Sequence, residues 1–133
     1  MTEQLTSPVP EVIGRMYSSL ESGDFARFET CFTPDAKIWH NVDEQVLDMP
    51  VAQIQLEQLA RGSNKVAYLE RRAFQLGNMV FLQHVLTAAL KSGAEMRLPA
   101  MMRVELSDDG LIAWIDEYFD SRGVDVAMGA PAH

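Results

Sequence analysis

The stretch MRLPAMMRVELSDDGLIAWIDEYFD, residues 96–120, decides the fold of this chain. Its centre is SDDG at residues 107–110, and Asp-Gly between two apolar, β-prone runs is among the strongest short-range signals for a β-hairpin. In the second arm both faces are mostly apolar, which predicts a strand covered on both sides. One carboxylate, Glu117, interrupts the face that carries Leu111 and Ile115, and it is the first indication of a functional site. In the first arm alternate residues are apolar: Met96, Leu98, Ala100, Met102, Val104 and Leu106.

Two more strands precede the hairpin, over residues 65–76 and 79–91, and Gly77-Asn78 predicts a two-residue turn between them. With the hairpin they give four long antiparallel strands. His84 interrupts an apolar face of the second strand, formed by Val80, Leu82, Leu86, Ala88 and Leu90.

The first half of the chain predicts three helices and two strands. A helix begins at Pro10 and ends at Ser22-Gly23, and Asp24 caps a second, shorter one. A strand over residues 35–42 places Ile38 and His40 on one face and Trp39 and Asn41 on the other. The remaining elements are a short strand over residues 46–48 and a helix over 50–61 whose inward stripe is Val51, Ile54, Gln55 and Leu59.

This order of elements predicts the α+β class, with helices gathered on one face of a curved, mostly antiparallel sheet. The space between such a sheet and its helices is a natural apolar pocket. We expect a single domain over residues 1–133, with residues 1–8 as a loose arm and 122–133 as a C-terminal tail. The outer sheet face carries Ile112, Trp114 and Tyr118, so we also expect a homodimer that buries this face.

Composition and charge exclude several classes of function. The net charge of −8 and the lack of a basic cluster beyond Arg71-Arg72 argue against a nucleic-acid partner. No apolar run approaches the roughly 20 residues of a membrane helix, and the N-terminus lacks a signal-peptide pattern, so we expect a cytoplasmic protein. The single cysteine, Cys31, excludes an internal disulfide and reads as a small core residue.

Three polar residues interrupt apolar strand faces, and they are the candidate catalytic residues: His40, His84 and Glu117. If these faces line one pocket, a Glu117–His84 pair could move a proton on an apolar ligand, with His40 as the second acid or base. Two histidines and one glutamate could also form a metal site, but their spacing matches no metal motif, and we expect neither a metal nor a cofactor. Tyr17, on the first helix, either offers its hydroxyl to the pocket or packs in the core.

Several segments together resemble the SnoaL-like branch of the nuclear transport factor two-like superfamily. They are LESGDF at residues 20–25, FTPDA at 32–36, WHN at 39–41, and DG at 109–110 followed by EYFD at 117–120. The resemblance covers about residues 10–122 and implies a cone-shaped fold with about three helices over a pocket. This fold hosts isomerases, cyclases, dehydratases, epoxide hydrolases and non-catalytic modules.

The resemblance also allows the catalytic positions of relatives to be compared. In ketosteroid isomerases, the helix tyrosine corresponds to Met16, with Tyr17 adjacent, the base aspartate to His40, and the protonated aspartate to a position near Met101. In limonene-epoxide hydrolases, the Y-x-N element resembles residues 39–41, which leaves open whether His40 or Asn41 faces the pocket. The R-x-D pair of these enzymes corresponds to residues 84–86, and their last aspartate to Glu117.

The sequence therefore favours a small cofactor-independent enzyme that does acid/base chemistry on an apolar small molecule. Isomerisation, cyclisation, dehydration and water addition all fit this description. His40, His84 and Glu117 are the predicted catalytic residues. The alternative is a non-catalytic module that binds a hydrophobic ligand or another protein. In the enzyme, the substrate would contact Tyr17, Trp39, Asn41 and Met101.

Overall fold

Ten helices and strands make up the described part of the chain. The computed structural model describes residues 9–127, with side chains through residue 125. The order of elements confirms the predicted one and adds a last helix: α1 (Glu11–Ser22), α2 (Phe25–Glu29), β1 (Phe32–His40), β2 (Val46–Asp48), α3 (Met49–Arg61), β3 (Ser63–Leu76), β4 (Met79–Leu90), β5 (Glu95–Leu106), β6 (Ile112–Phe119) and α4 (Arg122–Ala127).

The six strands form one curved sheet in the order β2-β1-β6-β5-β4-β3, which confirms the α+β class and the cone-shaped fold. Every neighbouring pair is antiparallel except β1 and β6, which run parallel. That parallel pair joins the first strand of the chain to the last one and aligns His40 with Glu117. No helix in the described residues is long and apolar enough to cross a membrane.

The hairpin of residues 96–120 forms as predicted, but its second arm contains an irregularity. The pairing passes from Glu105 with Trp114 to Leu106 with Ile112, so Ala113 is an extra residue on β6. This bulge moves Ile112 to the inner face, where it is fully buried. The prediction that Ile112 lies on the outer face with Trp114 was therefore wrong, whereas Ile115 stays buried on the inner face.

The first helix pair follows the sequence signals closely. Gly23 ends α1 in the left-handed conformation, with φ of 72°, which favours glycine because it has no Cβ. The Asp24 side chain caps α2 by accepting a hydrogen bond from the Arg27 backbone N–H. Cys31, just after α2, is fully buried as predicted. The inner stripe of α1 belongs to the core: Val12, Ile13, Met16, Tyr17 and Leu20.

Helix α3 is rotated relative to the prediction. Val51 and Ile54, which were expected to point inward, are 47% and 52% exposed. Because each helical residue turns by about 100°, a stripe that starts one residue later faces a different way. The residues of α3 that face the interior of the fold are Met49, Ala52, Gln55, Leu56 and Leu59.

Residues 122–127 form α4, so the prediction of a C-terminal tail from residue 122 was wrong over this range. The helix lies against β5, and a Cβ added to Gly123 would come 2.2 Å from the Arg97 carbonyl oxygen. Only glycine permits this close approach. The predicted arm at residues 1–8 and residues 128–133 of the tail lie outside the described residues.

Replacing Gly123 by alanine is expected to detach α4 from the sheet, because the added methyl group cannot occupy the same space as the Arg97 carbonyl. We expect tryptic cleavage after Arg122 to become about tenfold faster, which corresponds to about 1.4 kcal/mol of docking free energy. The matched control is Gly14→Ala, where an added Cβ meets nothing within 4 Å. Equal cleavage rates in wild type and Gly123→Ala would contradict the close-contact argument.

The outer sheet face leaves several large apolar side chains exposed, among them Phe74, Met101 and Tyr118. Trp39 packs against Tyr118, with ring centroids 5.2 Å apart. The predicted homodimer through this face stays a prediction.

Candidate functional site

A cavity of about 280 Å³ lies between the inner sheet face and the helices. Its wall is mostly aliphatic and aromatic, and this composition is typical of small-molecule sites. Ile115, Phe119 and, from α4, Val124 are among the apolar residues of the wall. The polar residues that line it are Tyr17, His40, Gln55, Tyr68, His84 and Glu117.

All three predicted catalytic residues therefore face one cavity, but they pair differently from the prediction. His40 Nε2 lies 3.1 Å from Glu117 Oε1, and the two side chains are 17% and 18% exposed. The prediction of a Glu117–His84 pair was wrong, because β5 lies between β6 and β4 and separates their backbones by about 10 Å. The parallel pairing of β1 and β6 places His40 beside Glu117 instead.

The pairing with Glu117 sets the protonation of His40. The hydrogen bond to Glu117 raises the pKa of His40 above its ordinary value; burial opposes this, and the negative charges of Glu117 and Asp43 add to it. A larger fraction of His40 is therefore imidazolium at neutral pH than for a histidine in water. The ring also meets Phe119 edge-on at 5.8 Å, which orients it.

A second pair, Tyr17 and His84, lies deeper. The Tyr17 hydroxyl is 2.7 Å from His84 Nδ1, and the two residues are 0% and 2% exposed. Burial lowers the pKa of His84 to about 4. The negative charge of Glu117 acts to raise this pKa, and the positive charge of Arg71 acts to lower it. Burial also raises the pKa of Tyr17, which Arg71 opposes and Glu117 reinforces. Near neutral pH both groups are uncharged. The Tyr17 hydroxyl has no other acceptor within the described residues, so we assign it as the donor to Nδ1, which places the imidazole proton on Nε2.

The remaining polar atoms of His84 and Tyr68 are available to a ligand. Neither His84 Nε2 nor the Tyr68 hydroxyl has a hydrogen-bond partner within residues 9–127. In that range the one fully buried side-chain nitrogen or oxygen without a hydrogen-bond partner is Arg15 Nε, which pairs with Glu11 at 3.5 Å. Neither His84 Nε2 nor the Tyr68 hydroxyl is therefore sealed from the cavity that both residues line. The floor of the cavity therefore offers two neutral hydrogen-bond donors.

Tyr68 is a site residue that the sequence analysis missed. Its ring packs against Tyr17 at 5.4 Å and His84 at 5.0 Å, between centroids. Burial raises the pKa of its hydroxyl, followed by the charge of Glu117. No motif marks this tyrosine, and the only available signal was its position on the same face of the predicted strand as Val66.

Three of the predicted substrate contacts lie outside the cavity, so these predictions were wrong. Trp39 packs edge-on against Tyr118 on the outer face, because it alternates with His40 along β1. Asn41 follows the strand, and its Oδ1 accepts a hydrogen bond from the Phe119 N–H at 2.9 Å. Met101 alternates with buried neighbours and is 57% exposed. Of His40 and Asn41, it is thus His40 that faces the cavity, and of the four predicted contacts Tyr17 alone lines it.

A family profile described as the SnoaL-like domain matches residues 13–115. The chain belongs to the SnoaL-like family. The match spans most of the SnoaL-like domain described above, from α1 through Ile115 of β6. No curated protein matches the sequence significantly.

Solved structures share the fold of this SnoaL-like domain at low sequence identity. A hypothetical protein from Catenulispora acidiphila with a ketosteroid isomerase-like fold, solved in complex with trimethylamine, is 15% identical, with a TM-score of 0.76 over 93% of this chain and 96% of its own. AclR, a candidate hydroxylase from Streptomyces galilaeus, is 12% identical, with a TM-score of 0.79 over 92% and 85%. A candidate SnoaL-like polyketide cyclase from Jannaschia sp. CCS1 is 19% identical, with a TM-score of 0.73 over 96% and 99%.

Proposed function

We propose that this SnoaL-like domain is an enzyme that binds a small, largely apolar molecule and transfers a proton within it, without a cofactor. The observation that carries the proposal is the convergence of two different polar pairs on one apolar cavity. His40–Glu117 is an ion pair that can exchange a proton, and Tyr17–His84 is a neutral pair that can donate hydrogen bonds. Groups whose environments push their pKa values in opposite directions are typical of acid/base sites.

Glu117 is the proposed proton acceptor. His40 binds its Oε1, whereas Oε2 has no partner within the part of the chain that the structure describes. The carboxylate charge acts on Tyr17, Tyr68 and His84, so it lies within electrostatic reach of the floor of the cavity. His40, as an imidazolium, pairs with the carboxylate and provides a proton relay on its other side.

The two floor donors would bind an oxygen of the substrate. In the proposed step a proton passes from the substrate to Glu117 Oε2, and the electrons left behind move toward an oxygen that His84 Nε2–H and the Tyr68 hydroxyl stabilise. The proton then returns at a second position or leaves with a departing hydroxyl group. Isomerisation, cyclisation, dehydration and water addition are variants of this sequence, and no electron acceptor is required. The cyclase and isomerase names of two structural neighbours are consistent with such variety.

A non-catalytic binding module is the second candidate function. One residue favours this function: Met16 occupies the position that corresponds to the catalytic tyrosine of ketosteroid isomerases. It lines the cavity with an apolar side chain that cannot donate a hydrogen bond. Such a module would bind the same class of ligand and leave it unchanged.

A thermal-shift screen with terpenoid, steroid and polyketide-like compounds tests ligand binding. A ligand at ten times its dissociation constant should stabilise the fold by about 1.4 kcal/mol, which raises Tm by about 3–8 °C. Ala52→Phe, which fills the cavity from α3, should abolish this shift, whereas Val51→Phe on the exposed neighbouring position should leave it unchanged. If no compound stabilises wild type more than Ala52→Phe, the proposal is wrong. Turnover of the compound that binds then separates the enzyme from the binding module.

A further inference from the structure

An irregularity in β3 lies directly opposite His84. The pairing passes from Leu69 with Val85 to Arg72 with Gln83, so two residues, Glu70 and Arg71, face the single residue His84. Glu70 has a φ of 53°, in the left-handed region that non-glycine residues rarely adopt. Bulges of this kind redirect side chains and are frequent beside functional sites.

The bulge directs Arg71 onto Tyr17. The Arg71 Cζ lies 4.9 Å from the centroid of the Tyr17 ring, in a cation–π arrangement. Two polar contacts fix the guanidinium group there: Nε donates to the Tyr68 carbonyl at 3.0 Å, and NH2 lies 3.3 Å from Glu21 Oε1. The other carboxylate oxygen of Glu21 accepts the Tyr68 N–H at 2.8 Å, which closes the network.

Arg71 does not line the cavity, so it would act through its neighbours and not on a ligand. We propose that Arg71, anchored by Glu21, is a positioning residue for the Tyr17–His84 pair: it holds the tyrosine ring from behind and places a permanent positive charge there, which disfavours an imidazolium at His84. The role of His84 as a donor rests on the proposed function. The effect of Arg71 on the protonation of His84 does not, and it can be measured in the free protein.

The groups around His84 are two neutral tyrosines and two charges of opposite sign, Glu117 and Arg71. Tyr17 from α1 and Tyr68 from β3 are neutral, and β5 presents Ala100 opposite His84. Glu117, with its partner His40, contributes the negative charge that favours an imidazolium. Burial and Arg71 act against it. If the guanidinium is removed, no positive charge offsets the effect of Glu117, and the pKa of His84 should rise.

The test is a titration of the histidine rings by NMR in Arg71→Met, Arg71→Lys and Glu21→Gln. Arg71→Met should raise the midpoint of His84, with a severalfold gain in proton affinity, because burial remains the larger cause of its lowered pKa. Arg71→Lys should keep the wild-type midpoint because it keeps the charge. Glu21→Gln retains a carbonyl for the Tyr68 N–H but removes the negative charge beside Arg71, so it should lower the midpoint. The matched control is Arg97→Met, since Arg97 is exposed and pairs with Glu70 at 3.7 Å.

Opposite shifts in the two charge variants support the positioning role, because mere loosening of the structure would move both midpoints in the same direction. Unchanged midpoints in Arg71→Met and Glu21→Gln, or shifts of the same sign, overturn it. If Arg71→Met does not fold, Arg71→Gln, which keeps a polar side chain and removes the charge, takes its place in the comparison with Arg71→Lys. If instead no ligand or turnover is found while the titrations behave as expected, the proposed enzyme function fails and the positioning role stands.

Discussion

Replacing Glu117 by glutamine is expected to lower kcat/KM by about 10²–10⁴-fold, the usual contribution of a general acid or base. Glutamine keeps the shape of the side chain and can still accept a hydrogen bond from His40, but it has no basic oxygen. The loss corresponds to about 3–5 kcal/mol of transition-state stabilisation. The measurement is steady-state turnover of a compound that the thermal-shift screen identifies.

The control for this variant is Glu95→Gln, an exposed carboxylate at the start of β5 that should leave turnover unchanged. Glu117→Gln should also keep the ligand-induced thermal shift, since the apolar wall provides most of the binding surface. The assignment of Glu117 as the base is wrong if the variant retains more than about a tenth of wild-type turnover. A protein that binds the ligand equally well in both forms and never converts it is the non-catalytic module.

The second large effect concerns stability in acid. In the folded protein the pKa of His84 lies at about 4, whereas its ordinary value is 6.5. Between these values the unfolded chain binds a proton that the folded chain does not, so stability falls as the pH falls. Integrated from pH 7 to pH 4, the titration of this single group lowers the free energy of unfolding by about 3 kcal/mol.

His84→Asn eliminates that titration and keeps an acceptor near the Tyr17 hydroxyl. Between pH 7 and pH 4, the free energy of unfolding of His84→Asn should therefore fall by about 3 kcal/mol less than that of wild type, as measured by urea unfolding. The carboxylates titrate in both proteins and cancel in the comparison. Parallel losses in the two proteins would show that the folded chain binds this proton as readily as the unfolded chain, and would contradict the lowered pKa of His84.

His40 provides a control of opposite sign. Its pKa is raised in the folded state, so its contribution to stability is fully present below about pH 6.5 and is lost as the pH rises through the folded pKa. His40→Asn should therefore flatten the alkaline side of the stability profile and leave the acid side unchanged. The two histidines of one cavity are in this way distinguishable by the side of the profile that each controls.

Local signals in the sequence were sufficient for most of the fold. The Asp-Gly turn, the αL glycine after α1 and the Asp24 cap each fix a backbone conformation through nearest neighbours, and all three are present in the structure. Alternation along β4 and β5 identified most of the buried residues, including His84, although Val85 on the opposite face is buried as well. These properties depend on contacts within a few residues, which a sequence displays directly.

The arrangement of the site could be predicted only in part. Alternation identified His40, His84 and Glu117 as inward-facing, but it could not show that β1 pairs with β6, and so it assigned Glu117 the wrong partner. The two bulges escaped detection because each extra residue shifts the register without a distinctive sequence. Arg71 lies in one of these bulges and was missed with it.

The parallel pairing of β1 with β6 also has a consequence for folding. Strands β1 and β2 join the rest of the sheet only through β6, which is the last strand of the sheet to be synthesised. During translation the first strand must wait, with its β6-facing edge unpaired, until about 70 further residues have left the ribosome. Contacts between such distant residues fold slowly. His40 and Glu117 therefore meet only in the final assembly of the sheet, and truncated chains that lack β6 should expose an aggregation-prone edge.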